Sequence, residues 1–119
     1  MPDYLCFMSD ILLKLKWFDD TLAFCRIDVD NSPAEVVKEV LYGDFAVSVH
    51  TFFHFINLEP LLEARLISAD LMELCLGVRE KVAVLTEAQT VAGDIRKDQQ
   101  WASIIAMCKQ GQRIRQKLG

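Results

Sequence analysis

The sequence predicts an all-α fold, a compact bundle of four to five helices in a single domain of residues 1–119. Apolar residues recur at steps of three and four along most of the chain, which is the period of a helix packed on one side. No stretch alternates apolar and polar residues between hairpin turns, as strands would. The chain has only 5 Gly and 3 Pro, which disfavours disorder and many-turned β folds. Its 119 residues suffice to bury one autonomous core.

The first predicted helix has a regular apolar stripe. Its members alternate steps of four and three residues: Tyr4, Met8, Ile11, Leu15, Phe18 and Leu22. This spacing is typical of a helix that packs one face against other helices. Leu5, Leu12 and Trp17 widen the stripe beyond what one bundle needs to cover. We therefore expect this helix to form the interface if the protein is a homodimer.

The second predicted helix follows a polar loop at residues 28–33. Ser32 is the expected N-cap, Pro33 the first helical residue and Glu35 the residue that closes a capping box. The stripe that follows is wide, which is typical of a central helix, and comprises Val37, Leu41, Phe45, Ser48, Phe52 and Phe55.

Pro60 marks the predicted boundary between the second helix and the next one. A residue that precedes proline is pushed out of the α region, so the helix is expected to end at residues 57–60 and Pro60 to open the next one. An apolar stripe from Ile67 to Ala92 then predicts a helix over residues 61–93, about 33 residues and well above the average length. Ser68 or Gly77 are the positions at which it would divide, and Gly93 is its expected end.

The last predicted helix carries most of the positive charge. Its stripe comprises Trp101, Ile104, Ile105, Cys108, Ile114 and Leu118. Residues 1–95 carry 7 Lys and Arg against 16 Asp and Glu, a net charge of −9, and residues 96–119 carry 6 against 1, a net of +5; together they give the −4 of the chain. The candidate basic patch comprises Lys109, Arg113, Arg115 and Lys117. A cationic helix on an acidic body either docks on that body or binds another molecule.

The 4 cysteines favour reduced thiols over disulfides. Cys6, Cys25, Cys75 and Cys108 are widely spaced, and the amino terminus has no secretory signal. Cys75 and Cys108 fall on apolar stripes, where a free thiol behaves as a small buried apolar group. The longest uncharged stretch, residues 45–58, is too short to span a bilayer. These features predict a cytoplasmic protein with no membrane segment.

Two residue patterns partly match known metal-binding sites. His50 and His54 are one helical turn apart, which is half of a zinc or iron site, but no third ligand lies at a familiar spacing. Asp28, Asp30, Ser32 and Glu39 match four positions of a calcium-binding EF-hand loop, yet Pro33 occupies the position that requires glycine. We therefore predict no metal and no cofactor.

The sequence also lacks catalytic motifs. It contains no Gly-x-Ser-x-Gly, no Cys-x-x-Cys and no glycine-rich phosphate loop, so we do not expect an enzyme. The leading hypothesis is a cytosolic protein-binding module that occludes or scaffolds a partner, in the manner of immunity proteins, antitoxins, chaperones or adaptors. Its expected binding surface is an acidic face comprising Asp19, Asp20, Asp28, Asp30, Glu35 and Glu39.

The partner expected at the acidic face is another protein, and a basic one is favoured because opposite charge accelerates association. The alternative is a dimeric helical regulator that contacts nucleic acid through its basic last helix. Gln and Arg side chains suit phosphate and base contacts. Nucleic acid is the less favoured partner, because an acidic chain of pI about 5.1 repels a polyanion at long range.

Overall fold

Five helical rods make up most of the chain in the computed structural model. The structure describes the backbone of residues 2–88 and 94–118 and the side chains of residues 10–88 and 94–117. The α-helices are α1 (Pro2–Leu22), α2 (Ala34–Glu39), α3 (Ala46–Phe52), α4 (Phe55–Glu63), α5 (Ala69–Ala88) and α6 (Gln99–Leu118). A π-helical segment, Val40–Phe45, joins α2 and α3 into one rod. Short 3-10 turns, Ala23–Arg26 and Ile95–Lys97, follow α1 and precede α6. The described ranges contain no strand, and the predicted all-α class is confirmed.

One apolar core lies between these rods. Helix α5 packs against α3, α4 and α6, and α1 packs against α3, α4 and α6. The largest fully buried side chains are aromatic: Trp101, Phe18, Phe45 and Phe53. Phe18 and Phe53 lie with ring centroids 5.5 Å apart, and Phe45 lies 6.4 Å from Trp101. The rings therefore join α1, the α2–α3 rod and α6 at the centre of the molecule.

The π segment keeps one buried row facing that core. Fully buried side chains recur at steps of four residues: Val37, Leu41, Phe45, Val49 and Phe53. An α-helix has 3.6 residues per turn, so each step of four rotates the row by about 40° away from its start. The wider i→i+5 turn of a π-helix holds more residues and reverses part of that rotation. In an α-helix an occasional step of three residues corrects this rotation. The buried row has no step of three, so the π-helical segment makes the correction instead.

The predicted stripe is correct as far as Phe45 and wrong beyond it. Ser48 and Phe52 are only half-buried and Phe55 is exposed, while Val49 and Phe53 occupy the core. The prediction assumed α-helical periodicity throughout, and the π segment shifts the buried positions by one residue.

The predicted capping box at the start of this rod is also wrong. Pro33 precedes the helix, and its carbonyl accepts hydrogen bonds from the N–H groups of Val36 and Val37, each at 3.1 Å. No side chain caps the end. Ser32 belongs to the preceding turn, because its N–H donates to the carbonyl of Asp28 at 3.1 Å.

The break between α3 and α4 lies before Pro60, contrary to the prediction. His54 has an extended backbone, and its Nδ1 accepts a hydrogen bond from the N–H of Ile56 at 3.0 Å, which caps α4. Pro60 lies inside α4. Proline removes a hydrogen bond to the carbonyl four residues earlier, that of Ile56. Because Ile56 is exposed, water can satisfy this carbonyl and the helix continues.

The predicted 33-residue helix is divided at Ser68, one of the two expected positions. Arg65 adopts a left-handed conformation (φ 60°) just after α4. Ser68 Oγ then accepts a hydrogen bond from the N–H of Leu71 at 3.1 Å and opens α5. Gly77 lies within α5, and Gly93 lies outside the described residues. None of the helices in the described part of the chain is both long enough and apolar enough to cross a bilayer.

Two glycines should respond oppositely to alanine. A Cβ on Gly111 would lie 3.0 Å from Leu22 Cδ2 and 3.1 Å from Leu74 Cδ2, whereas a Cβ on Gly43 meets nothing within 4 Å. We expect Gly111→Ala to lower the free energy of unfolding by about 1–3 kcal/mol through overpacking. Gly43→Ala should raise it by up to about 1 kcal/mol, because glycine is a poor helix former. Urea denaturation measures both, and equal effects of the two variants would contradict the packing described at Gly111.

Candidate functional site

Helix α6 docks on the acidic body through both apolar and charged contacts. Trp101, Ile104 and Cys108 are buried along one face. On the same side Arg115 Nε lies 3.1 Å from Asp19 Oδ1, and Arg115 Nη2 lies 3.4 Å from Asp19 Oδ2. One member of the predicted basic patch is therefore paired with one member of the predicted acidic face.

The other three members of the basic patch form an exposed row, which we call the cationic ridge: Lys109, Arg113 and Lys117. They are spaced four residues apart, so they lie on one face of α6. Gln110 is exposed beside them, whereas Gln112 points inward, where its Oε1 accepts a hydrogen bond from Cys25 Sγ at 3.1 Å.

Two of the six predicted acidic residues make contacts within the fold. Asp19 is paired with Arg115, and Asp28 closes its own loop by accepting hydrogen bonds from the N–H of Asn31 at 3.2 Å and from Asn31 Nδ2 at 2.9 Å. Asp20, on α1, lines a cavity of about 390 Å³ that Arg26 and Arg115 also line. Cations and carboxylates therefore alternate near the end of α1.

Three acidic residues remain together at the start of the α2–α3 rod, and we call them the acidic edge: Asp30, Glu35 and Glu39. All three are exposed. Glu35 and Glu39 are one turn apart on the side of α2 opposite the buried Val37. Among the described residues the ion pairs are Arg115–Asp19 and Arg96–Asp94, so no member of the acidic edge is in one.

Arg96 links the turn before α6 to the loop before α2, beside the acidic edge. The sequence did not indicate this role. Its Nη1 donates to the Ser32 carbonyl at 3.2 Å, and its Nη2 lies 2.6 Å from Asp94 Oδ2. Hydrogen bonds from the Arg96 side chain and backbone lower the pKa of Asp94 to about 2. The carboxylate is therefore charged at physiological pH and orients Arg96, whose contact with Ser32 holds the turn before α6 against the loop before α2.

The two histidines do not share a face. His50 is in α3, where Arg79 Nε donates to its carbonyl at 3.0 Å and Arg79 Nη2 lies 3.3 Å from its Nδ1. His54 uses its Nδ1 to cap α4. One ring nitrogen of each histidine is thus committed to a protein partner. Within the described side chains, no three His, Cys, Asp or Glu residues converge to hold a metal ion, and this includes the loop at Asp28 and Asp30.

The described cysteines are unreactive core groups. Cys25, Cys75 and Cys108 are free and buried, as the apolar stripes predict for Cys75 and Cys108, whereas the side chain of Cys6 lies outside the description. Burial raises the pKa of Cys108 to about 12 and that of Cys75 well above its usual range. Burial also raises the pKa of Cys25, although Lys109 and Arg26 oppose the shift. A nucleophilic thiolate is therefore scarce at neutral pH.

A cavity of about 620 Å³ lies between α5 and α6, and the sequence did not predict it. Its wall includes the exposed Val84 together with Gly77, Gln100 and Ser103. Its lining contains neither histidine nor cysteine, and Glu80 and Lys81 are the charged residues there. The lining therefore combines one hydroxyl, that of Ser103, with one carboxylate and one amino group.

Comparison with known proteins adds no relative: no family model, no curated protein and no solved structure matches the chain.

The buried thiols should make stability depend on alkaline pH. An unfolded thiol ionises near pH 8.5, whereas Cys108 in the folded protein ionises only near 12. The unfolded state therefore loses protons first, so the contribution of the thiols to stability is constant below about pH 8 and falls above it, by up to about 1.4 kcal/mol per pH unit for each buried thiol. Urea denaturation between about pH 7 and 9.5 measures this slope.

Cys108→Ala is the control for this pH dependence. It should remove the contribution of one thiol and make the slope shallower. A free energy of unfolding that does not change over this range, or a slope that Cys108→Ala leaves unchanged, would contradict the burial of these groups.

Proposed function

We propose that the chain is a cytosolic protein-binding module that occupies the surface of a basic partner with fixed stoichiometry, in the manner of an immunity protein, antitoxin, chaperone or adaptor. The observation that carries the proposal is the acidic edge. Asp30, Glu35 and Glu39 are exposed and have no ion-pair partner among the described residues, whereas Asp19 and Asp94 are each held by an arginine.

Electrostatics supports a role for this edge in partner choice. Complementary charge raises association rates and suppresses wrong partners more than it raises affinity. The acidic edge also lies on a part of the chain that is fixed by contacts. Arg96 binds the carbonyl of Ser32 in the loop before α2, and the buried Val37 packs α2 against the core. The backbone of a fixed helix loses little conformational freedom on binding, which favours a preorganised surface.

The chemistry of the remaining groups supports binding rather than catalysis. Cys25, Cys75 and Cys108 are buried with raised pKa values, and His50 and His54 each use a ring nitrogen within the fold. Free buried thiols also suit a reducing compartment such as the cytosol.

Reversing the charge of the acidic edge should impair partner capture. The tagged protein is incubated with nuclease-treated native extract, and the eluate is identified by mass spectrometry. We expect one basic protein at near one-to-one stoichiometry. Glu35→Lys with Glu39→Lys should weaken its affinity at least about tenfold at low salt, because attraction becomes repulsion. The difference between variant and unaltered protein should shrink as salt screens the charges.

The matched control is Glu73→Lys with Glu80→Lys, which makes the same change in net charge at two exposed positions of α5. This control should retain the partner. The proposal fails if both double variants bind equally well, or if affinity for the captured protein is independent of salt.

The cationic ridge supports a second candidate, a regulator that contacts nucleic acid. Lys109, Arg113 and Lys117 face outward from one side of α6. This hypothesis predicts that DNA or RNA binds with an affinity that falls steeply between about 50 and 200 mM salt, and that Arg113→Glu with Lys117→Glu abolishes binding. Fluorescence anisotropy of a labelled duplex and a labelled single strand measures both.

Lys38→Glu with Lys81→Glu is the control, since both lysines are exposed on other helices. Binding that survives reversal of the ridge, or that is absent at every salt concentration, dismisses the nucleic-acid candidate.

A further inference from the structure

A cavity of about 240 Å³ lies where the acidic edge and the cationic ridge approach each other, and we call it the Trp101 cavity. Its apolar lining includes Trp101 and Leu41, which are buried, and Val29 and Ile105, which are half-buried. Ala106 of α6 also lines it and is exposed, so a small side chain lies at its opening. Pockets that hold drug-sized ligands measure about 300–1,000 Å³. The Trp101 cavity is smaller, and it suits one large apolar side chain of a binding partner.

Charged residues of opposite sign lie at the two ends of this cavity along α6. Asp98 caps the start of α6, where its Oδ1 accepts hydrogen bonds from the N–H groups of Gln100 at 2.9 Å and Trp101 at 3.0 Å. Lys109 lies farther along the same helix, about 16 Å from Asp98. Because Asp98 and Lys109 both line the cavity, it has one acidic end and one basic end.

The loop before α2 adds a second carboxylate, that of Asp30, to the acidic end. Arg96, beside the start of α6, donates to the carbonyl of Ser32 at 3.2 Å. Cys25 donates to Gln112, far along α6, at 3.1 Å. The chain from Cys25 to Ser32 therefore runs along α6 toward its start. Asp30 is two residues from Ser32, so it lines the cavity nearer to the acidic end.

The other charges nearby do not cancel this polarity. Arg96 also lines the acidic end, but Asp94 Oδ2 lies 2.6 Å from its Nη2 and matches its charge. Lys97 and Asp28 are not among the residues that line the cavity. Arg113 is exposed one turn beyond the basic end and adds positive charge there.

We propose that the Trp101 cavity receives an extended segment of the partner that carries basic, apolar and acidic residues in that order. The apolar side chain enters between α6 and the loop before α2. Its basic neighbours face Asp30 and Asp98, and its acidic neighbours face Lys109. Protein interfaces derive much of their affinity from a few side chains buried in such pockets. The proposal rests on the proposed function, because it describes the segment of the basic partner that the acidic edge would select.

Synthetic peptides test the Trp101 cavity before the partner is known. The probe is a fluorescein-labelled peptide with lysines at one end, leucines in the middle and an equal number of glutamates at the other end. The control peptide has the same composition with the three residue types interspersed, so both peptides have the same net charge. Fluorescence anisotropy at low salt should show that the full chain binds the probe at least about tenfold more tightly, because only the probe matches the order of the lining charges.

Ala106→Leu tests whether the cavity is the anchor. A leucine at this position would fill the opening, so the dissociation constant of the probe should rise at least about tenfold. Ala83→Leu is the matched control: it makes the same change at an exposed alanine of α5 that does not line this cavity, and it should leave binding unchanged. Leucine is a good helix former, so both variants should fold, which circular dichroism checks.

Exchange of charge between the ends tests the polarity. Asp30→Lys and Lys109→Glu should each weaken binding of the probe, because each reduces the difference in charge between the two ends. The double variant reverses that difference and keeps the net charge of the protein. It should recover part of the lost affinity, because the probe can then bind in the opposite direction.

Each contrary result overturns a stated part of the proposal. Equal affinity for probe and control peptide excludes selection by the order of charges, and a probe that tolerates Ala106→Leu excludes the cavity as its anchor. A double variant that binds no better than either single variant excludes the polarity.

Comparison with capture of the natural partner separates this proposal from the proposed function. A captured protein that needs Glu35 and Glu39 but tolerates Ala106→Leu overturns the segment proposed here and leaves the proposed function standing. Peptides that behave as expected, together with a captured protein whose binding is indifferent to Glu35 and Glu39, overturn the proposed function alone.

Discussion

The arrangement of the molecule depends on the close approach of three helices at Gly111. Helix α6 has no side chain there, and a Cβ at that position would lie 3.0 Å from Leu22 of α1 and 3.1 Å from Leu74 of α5. This approach places the cationic helix on the acidic body and brings Arg115 to Asp19. With one side of α6 so occupied, Lys109 and the other cations of the ridge face outward.

Sequence periodicity accounts for the fold class, the stripe of α1 and the burial of the thiols, because each follows from repeated apolar positions. Periodicity gave wrong predictions at two places, the π-helical segment and Pro60. The buried row from Val37 to Phe53 contains no step of three, which in retrospect indicates the π segment. The sequence predicts a helix boundary at Pro60, yet Pro60 is tolerated inside α4 because the exposed Ile56 leaves its carbonyl open to water. The apolar pattern of a single sequence does not show that exposure.

The sequence predicts which residues are charged, but not how their side chains are arranged on the surface. The division of charge between residues 1–95 and 96–119 identified the candidate acids and bases, but whether a charged side chain has a partner within the fold depends on tertiary contacts. Asp19 pairs with Arg115 across 96 positions of sequence, and Asp28 turns back onto Asn31. Two of the six predicted acids and one of the four predicted bases are thereby engaged within the fold, and Asp20 lines a cavity with Arg26 and Arg115. The acidic edge and the cationic ridge comprise the residues that remain. The two surfaces approach each other at one point, because Asp30 of the acidic edge and Lys109 of the cationic ridge line the same cavity of about 240 Å³.

The central claim is that α6 is an integral member of the core and not an appended cationic tail. Native-state hydrogen exchange tests it directly, because it gives an opening free energy for each backbone amide. The account predicts that amides of α6 between Ile104 and Arg115 exchange with the same opening free energy as buried amides of α3 and α5. Amides of α6 that exchange through a separate opening, several kcal/mol below global unfolding, would contradict it.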